Sequence, residues 1–352
     1  MMTLLLTNQD VQEILTMDLC LKVLEDAFRE LGRGRAINRP RSHTYMLNDN
    51  PNDFYLFKSV EGGIASLQTY AIRLSSDRVV ERIVVEGHSR RQKIAAAPGG
   101  KFFGLILLFS TETCEPFCIL PDGFLQRMRV GATYGLGIRH LARDDASKIG
   151  IFGAGGQAET QLMAACAVRR ISRVRVFSPR RESRERFARQ MTDKLKIAVD
   201  ATESPREVVE GADIVIAATS SNEPVFEGRW LERGMHINFV QDREVDSLTL
   251  NLADRVVIDA RQRVTDWVMG QKVPRESLGR FDYESFENLS ELADVVSGTA
   301  PGRETKDQIT LFRAPGLGIQ FASVGKTVYE EARKRGLGRE IPTDWFLEDP
   351  HP

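Results

Sequence analysis

The sequence predicts an α/β protein in which a Rossmann-type, doubly wound parallel sheet sits between an N-terminal domain and a C-terminal helix that returns to it. Three observations predict this. The first is the stretch from Lys148 to Ser178. There the apolar run Ile149–Phe152 breaks into Gly153-Ala154-Gly155-Gly156-Gln157-Ala158, a helical pattern with Leu162, Ala165 and Cys166 continues to Val168, and a second apolar run spans Val174–Phe177. Strand, glycine turn, helix and strand in that order are the setting in which G-x-G-x-x-A binds a dinucleotide. The second is the alternation that follows. Helical Arg184–Met191, a short strand at Ile197–Val199, a helix capped by Ser204 and running to Val209, and strands at Ala212–Thr219, Met235–Val240 and Arg255–Asp259 imply a parallel sheet from about 148 to about 300. The third is the tail, where Ile309–Phe312 precedes a helical pattern from Gln320 to Lys334.

The N-terminal elements follow in order. Met1–Leu6 lacks a basic region and a cleavage site, so it reads as a short first strand and not a signal peptide. Residues 7–34 read as one helix, with Thr16 able to cap, Leu19, Val23, Ala27 and Leu31 on one face, and Gly32 and Gly34 as stops. Arg33–Arg41 is a basic loop. Phe54–Lys58 and Thr69–Leu74 read as strands, and Glu61-Gly62-Gly63 between them reads as a turn. Residues 75–101 carry Arg78, Arg82, Arg90, Arg91, Lys93 and Lys101 and end in Pro98-Gly99-Gly100, which reads as an insertion with a solvated basic face; the other reading is a phosphate or partner contact. Phe102–Phe109 is a buried strand, Cys114–Leu120 pairs with it, and Gln126–Leu141 is a helix leading into the glycine-turn strand.

Composition narrows the function. The chain has 352 residues, 42% hydrophobic and 28% charged, with net charge −1. That is long enough for two domains, and no global field draws nucleic acid or a membrane. No run of eighteen apolar residues exists to span a bilayer. Of Cys20, Cys114, Cys118 and Cys166 only the middle two are close, and no histidine or second pair completes a zinc set. The expectation is a cytoplasmic protein with reduced thiols and no metal.

Gly153 permits the tight turn, Gly155 lets backbone approach a pyrophosphate, and Ala158 lets helix and strand pack closely. The helix start at Ala154, Gly155, Gly156 and Gln157 offers free N–H groups to that anion. An enzyme selecting NAD carries an acid after the second strand. This chain has Ser178-Pro179-Arg180-Arg181, and a hydroxyl with two guanidinium groups suits a 2′-phosphate, so NADP(H) is favoured with NAD(H) as the alternative. Ligands bind beyond the carboxyl ends of such strands, which brings Thr219, Ser220 and Val240 to the cofactor and Asp242 to the nicotinamide. Asp242 reads as a general acid or base, or alternatively as a turn carboxylate.

These residues carry a family resemblance. Asp122-Gly123, Arg127-Met128-Arg129-Val130-Gly131-Ala132-Thr133 and His140-Leu141-Ala142-Arg143 ahead of the glycine turn resemble the ornithine cyclodeaminase/μ-crystallin family. So do Ala212-Asp213-Ile214-Val215, Ala218-Thr219, Pro224-Val225, Gly234-Met235-His236-Ile237-Asn238 and Ile309-Thr310-Leu311-Phe312. The match spans almost the whole chain except 75–101. It implies a homodimer with a discontinuous α+β substrate-binding and dimerisation domain, 1–128 with 312–352, and a dinucleotide domain, 129–311. It implies substrate-carboxylate arginines at Arg41 and Arg129 and an acid near the nicotinamide at Asp242. The family's active-site lysine falls on Arg73, in Ala71-Ile72-Arg73-Leu74, with Lys58 as a second candidate. Arginine holds a carboxylate but does not exchange a proton near neutral pH. The family's threonine ahead of the apolar strand is replaced by Gly99-Gly100.

The activity this implies is NAD(P)H-dependent oxidation or reduction at the C–N bond of a small amino or imino acid. Arg41, Arg129 and Arg73 would fix the carboxylate, and Asp242 or Lys58 would move the proton. The alternatives are a cyclodeaminase that releases ammonia with tightly held NAD and no net redox change, and a protein that keeps the cofactor without turnover.

Overall fold

All eight strands of the second sheet are parallel to their neighbours. The structure, a computed structural model, describes residues 1–50, 52–85, 87–261, 265–268, 271–272, 286 and 288–349. The sheet order is Ala198–Ala201, Arg173–Phe177, Lys148–Phe152, Ile214–Ala217, His236–Phe239, Thr310–Arg313, Arg255–Ile258, Leu289–Glu291. Side chains of Ile149, Ile151, Val174, Val176, Ile214, Val215, Ile216, Ile237 and Phe239 are all buried, as a parallel sheet covered on both faces requires. Strand order reverses between Lys148–Phe152 and Ile214–Ala217, so a crevice opens at their carboxyl ends.

The first sheet is built on antiparallel pairs. Asp53–Ile64 lies between Ser42–Leu47 and Thr69–Val85, and Phe103–Ser110 and Pro116–Pro121 continue beyond them. Met2–Leu5 and Arg339–Pro342 close one edge. Thr265–Val268 adds at the other edge, against Ser42–Leu47. The helices Met17–Gly32 and Gly318–Arg335 share one core with this sheet, in which Leu24, Phe28, Val60, Ile106, Leu108, Phe321, Val324 and Val328 meet. The helix Gly123–Leu141 is buried on most of its surface and runs from the first sheet into the second.

Several expected elements differ. Residues 7–34 form two helices, Asn8–Ile14 and Met17–Gly32, because Thr7 and Thr16 each cap a separate start. The buried face of the second holds Met17, Cys20, Leu21, Leu24, Ala27 and Phe28, in place of the expected Leu19–Val23–Ala27–Leu31 stripe. Glu61-Gly62-Gly63 is not a turn but the interior of the strand Asp53–Ile64. A Cβ on Gly62 would stand 2.7 Å from the Ile319 nitrogen, so the glycine marks a close backbone approach by the C-terminal helix. The segment 75–101 is not a plain insertion: Thr69–Val85 is one strand that folds back through His88–Ile94.

His236 sits fully buried between the central strands, with Nδ1 2.9 Å from the Thr310 hydroxyl and Nε2 2.9 Å from Asn238 Oδ1. Burial, helped by the charge of Arg303, holds its pKa down at about 3. The unfolded chain takes up this proton near pH 6.5 and the folded chain does not, so stability is intact above pH 6.5 and is lost as pH falls toward 3. Between pH 6.5 and 5.5 the expected loss is about 1 kcal/mol, and its slope approaches about 1.4 kcal/mol per pH unit below that. Denaturant titration of the parent and His236→Asn checks this: the gap between them narrows as pH falls, and a gap independent of pH would rule the linkage out.

Candidate functional site

The glycine turn sits at the crevice. Gly153 has φ of 103°, and a Cβ there would stand 2.4 Å from the Ala218 carbonyl oxygen, so only glycine suits this position. Gly155 caps the helix Gly156–Val168 without a side-chain bond, and no atom lies within 4 Å of where its Cβ would be. The first N–H groups of that helix have no acceptor within the helix itself. Gln157 Oε1 is buried there without a partner among the described residues. Ala158 is buried in the core beneath.

A groove of about 810 Å³ runs from this turn past Ser178, Pro179 and Arg180 on one side and Ala218 to Ser221 on the other. On this geometry it fits a dinucleotide: helix-start N–H groups for the pyrophosphate, and a hydroxyl and a guanidinium beyond the second strand. Arg181 is turned away, its Nε donating to Glu185 Oε1 at 2.7 Å with the side chain 73% exposed. Sequence reasoning missed Arg184, whose Nη1 donates to the Ser178 and Pro179 carbonyls at 3.0 and 3.1 Å and fixes this loop. It also missed Glu244. That carboxylate is fully buried and accepts from Thr219 N, Thr219 Oγ1, Val240 N and Gln241 N at 2.5 to 2.8 Å. It ties together the two strand ends that carry Thr219 and Val240. Burial raises its pKa against those four donors.

The groove opens into a cavity of about 1370 Å³ between the two sheets. Among the described residues arginine and lysine side chains outnumber carboxylates in its lining nine to two, so it suits an anion. Asp242 lines it, is buried, and pairs with Arg313 Nε at 2.5 Å. The pair forms because His236–Phe239 and Thr310–Arg313 are adjacent strands, and Arg313 is another residue the sequence did not reveal. Arg129 is buried on the helix Gly123–Leu141, donates to Gln320 Oε1 at 2.8 Å and stacks 4.8 Å over the Phe321 ring. Its Nε has no partner among the described residues, and burial lowers its pKa to about 10. Arg41 donates to the Pro315 carbonyl from the facing loop.

Arg73 and Lys58 both line the cavity, on neighbouring strands of the first sheet. Arg73 is engaged by Asp122 through Nε at 2.8 Å and through Nη2, and by Ser75 at 3.2 Å. Lys58 Nζ lies 3.5 Å from Asp77, which also accepts from Lys93 at 2.9 Å. Burial first, then the charge of Lys93, pushes the Lys58 pKa well below the ordinary lysine range, with Asp77 opposing. Among the described residues no group of three or more His, Cys, Asp or Glu side chains could hold a metal ion, and no helix is long and apolar enough to cross a membrane.

Comparisons with known proteins agree with this geometry. A Δ1-pyrroline-2-carboxylate reductase from Bacillus cereus is 32% identical over 244 residues, which cover 68% of this chain and 74% of that protein. An alanine dehydrogenase from Archaeoglobus fulgidus is 26% identical over 97% of this chain and 98% of its own. The solved structure of Thermococcus litoralis Δ1-pyrroline-2-carboxylate reductase, in complex with NADH and L-proline, superimposes with a TM-score of 0.79 at 31% identity, covering 96% of this chain and 100% of that one. The ornithine cyclodeaminase/mu-crystallin family model matches residues 1–336. With motifs, two-sheet architecture and family model in accord, this chain belongs to the ornithine cyclodeaminase/mu-crystallin family.

Proposed function

We infer that this chain is an NAD(P)H-dependent oxidoreductase acting on the C–N bond of a small amino or imino acid. One observation carries the reading: the dinucleotide groove opens directly into a cationic cavity that holds a buried carboxylate, Asp242. Relatives named as a pyrroline-2-carboxylate reductase and an alanine dehydrogenase support it. When bound, the reduced nicotinamide supplies hydride to the substrate carbon. Arg129 and Arg41 hold the substrate carboxylate, which suits forked guanidinium groups. Arg73 forms part of the cavity wall on the first sheet, where Asp122 and Ser75 each take N–H groups of its guanidinium. Asp242 moves the proton, with Lys58 as the rival; a buried amine of depressed pKa is a competent general acid or base.

The reading extends to a cytoplasmic homodimer with substrate and dimer domain 1–128 with 312–352 and dinucleotide domain 129–311. Four free cysteines support the compartment, and the archaeal alanine dehydrogenase neighbour, a dimer with bound NAD at 25% identity and TM-score 0.79, supports the assembly. Residues 350–352 lie outside the described residues.

The cofactor we propose is NADP(H). Ser178 and Arg180 in the groove support it; Arg181 adds nothing while paired with Glu185. Calorimetric titration should give NADPH tighter than NADH by about 1.5–3 kcal/mol, the worth of one charge-assisted phosphate contact. Equal affinity would remove the preference. The activity is tested by screening amino acids with oxidised cofactor, and 2-oxo acids with amines or cyclic imino acids with reduced cofactor, following nicotinamide absorbance. Net cofactor turnover is expected. Ammonia release without net redox change, or binding without turnover on any of these, would overturn the assignment.

A further inference from the structure

The strand Thr69–Val85 is longer than the sheet it belongs to. Its pairing with Asp53–Ile64 ends at Asp53–Val80, and its pairing with Phe103–Ser110 ends at Ser76–Phe103. Beyond Val80 its strand partner among the described residues is His88–Ile94, with one further backbone bond from Glu81 N to the Asn52 carbonyl at 2.7 Å. A lone two-stranded hairpin is marginal in water, and this one is tied down on the other domain. Arg91 N donates to the Ser220 carbonyl at 2.9 Å, and Asn222 N donates to the Ser89 carbonyl at 3.0 Å. Asn222 Nδ2 donates to the Glu81 carbonyl at 2.8 Å. Arg243 Nη1 bridges Glu81 Oε1 and Asn222 Oδ1 at 2.7 and 2.9 Å. The hairpin thus joins the loop after Ile214–Ala217, which is one wall of the dinucleotide groove.

This docking carries Arg90 over the groove. Arg90 lines both the groove and the adjoining cavity, as do Gly155, Gln157 and Ser220, so it stands at their junction, facing the glycine turn from the opposite domain. Among the described residues its side chain donates to Gln92 Oε1 at 3.4 Å, and its Nε is buried with no partner. Among the described residues no carboxylate pairs with Arg90 or with Arg180. Of the groove's three acids among the described residues, Asp246 caps Ser247–Asn251, Glu227 pairs with Arg229, and Glu223 forms no ion pair with Arg90 or Arg180. Burial, and then the charge of Arg180, lowers the Arg90 pKa. Two guanidinium groups in one groove without an ion-pair partner repel one another, and a phosphate held between them supplies opposite charge.

We propose that Arg90 is a phosphate-binding residue for the dinucleotide, and that the paired strands Thr69–Val85 and His88–Ile94 are a clamp that carries it across the groove from the first sheet. The proposal rests on the dinucleotide reading above. It gives the basic segment a function as a cofactor contact, where a plain surface insertion would have none. It also couples the two domains, because the cofactor would then be held by the helix start at Gly155–Gln157 on one side and the hairpin on the other.

The test is calorimetric titration of the purified full chain with NADH and with NADPH, without amino acid. Arg90→Met should weaken binding about 10–100-fold, with a shallower dependence of affinity on salt than the parent and an unchanged melting temperature. Arg90→Lys should recover part of the loss. Loss on both cofactors assigns Arg90 to the pyrophosphate, and loss on NADPH alone assigns it to the 2′-phosphate; either supports the clamp. Parental affinity for both in Arg90→Met overturns the clamp and leaves the dinucleotide reading standing. A parent chain that binds neither cofactor overturns both.

Discussion

Asp242→Asn lowers turnover by about 10²–10⁴-fold while cofactor affinity stays near the parental value. The expectation follows from where the carboxylate stands. Asp242 comes three residues after the strand His236–Phe239, at the carboxyl edge where a nicotinamide would reach the cavity, and it is 5% exposed. Asparagine keeps the shape and an acceptor oxygen facing Arg313 but cannot exchange a proton. Cofactor affinity is the folding control, because the groove residues from Gly153 to Arg180 make no direct use of Asp242. Lys58→Met is the paired measurement. The Lys58 amine lies in the same cavity with its pKa pushed down by burial, so it competes for the same role. A loss confined to Lys58→Met transfers the proton to the lysine. Parental turnover in both variants removes both assignments and leaves the chemistry to a residue elsewhere in the cavity.

The parts of this site that sequence reveals are those made by neighbours along the chain. Gly153, Gly155 and Ala158 fall within six residues, and their backbone demands are local, so the turn and its helix are legible from residue types alone. The caps at Thr16 and Ser204 are legible for the same reason. The missed features are pairings across strands. Arg313 reaches Asp242 only because Thr310–Arg313 lies beside His236–Phe239. Glu244 joins Thr219 to Val240 through backbone donors that no side-chain pattern announces. Arg73 illustrates the difference best. Its place on the strand was legible, but its engagement by Asp122, 49 residues on, depends on how Phe103–Ser110 and Pro116–Pro121 bring that loop back. The hairpin beyond Val80 was read as a surface insertion because its charge pattern resembles a solvated face; its docking is made by backbone groups of Ser89, Arg91, Ser220 and Asn222, by the Asn222 amide and by the Arg243–Glu81 pair.

Arg129→Leu should weaken substrate binding by roughly 2–3 kcal/mol and leave the fold and cofactor affinity intact. The size follows from a forked, charge-assisted contact to a carboxylate in a buried site, where loss of the cation leaves that carboxylate underpaired. The survival of the fold follows from what Arg129 touches. Its stacking partner is the Phe321 ring, which leucine can also cover. Its hydrogen-bond partner Gln320 keeps the Leu317 N–H at 3.2 Å through the same Oε1, and its Nε2 keeps the Thr133 hydroxyl at 2.8 Å, so no amide is stranded. Removing a guanidinium whose pKa burial has already lowered to about 10 also relieves a desolvation cost. Lysine is not a conservative replacement here, since it offers one compact charge in place of a planar fork; Arg129→Lys should lie between parent and leucine in substrate affinity. The measurement is steady-state kinetics with the best substrate from the screen, alongside thermal melts. A higher KM with the melting temperature held supports the carboxylate clamp. Parental kinetics in Arg129→Leu would make Arg129 a packing residue and pass the carboxylate to Arg41 alone.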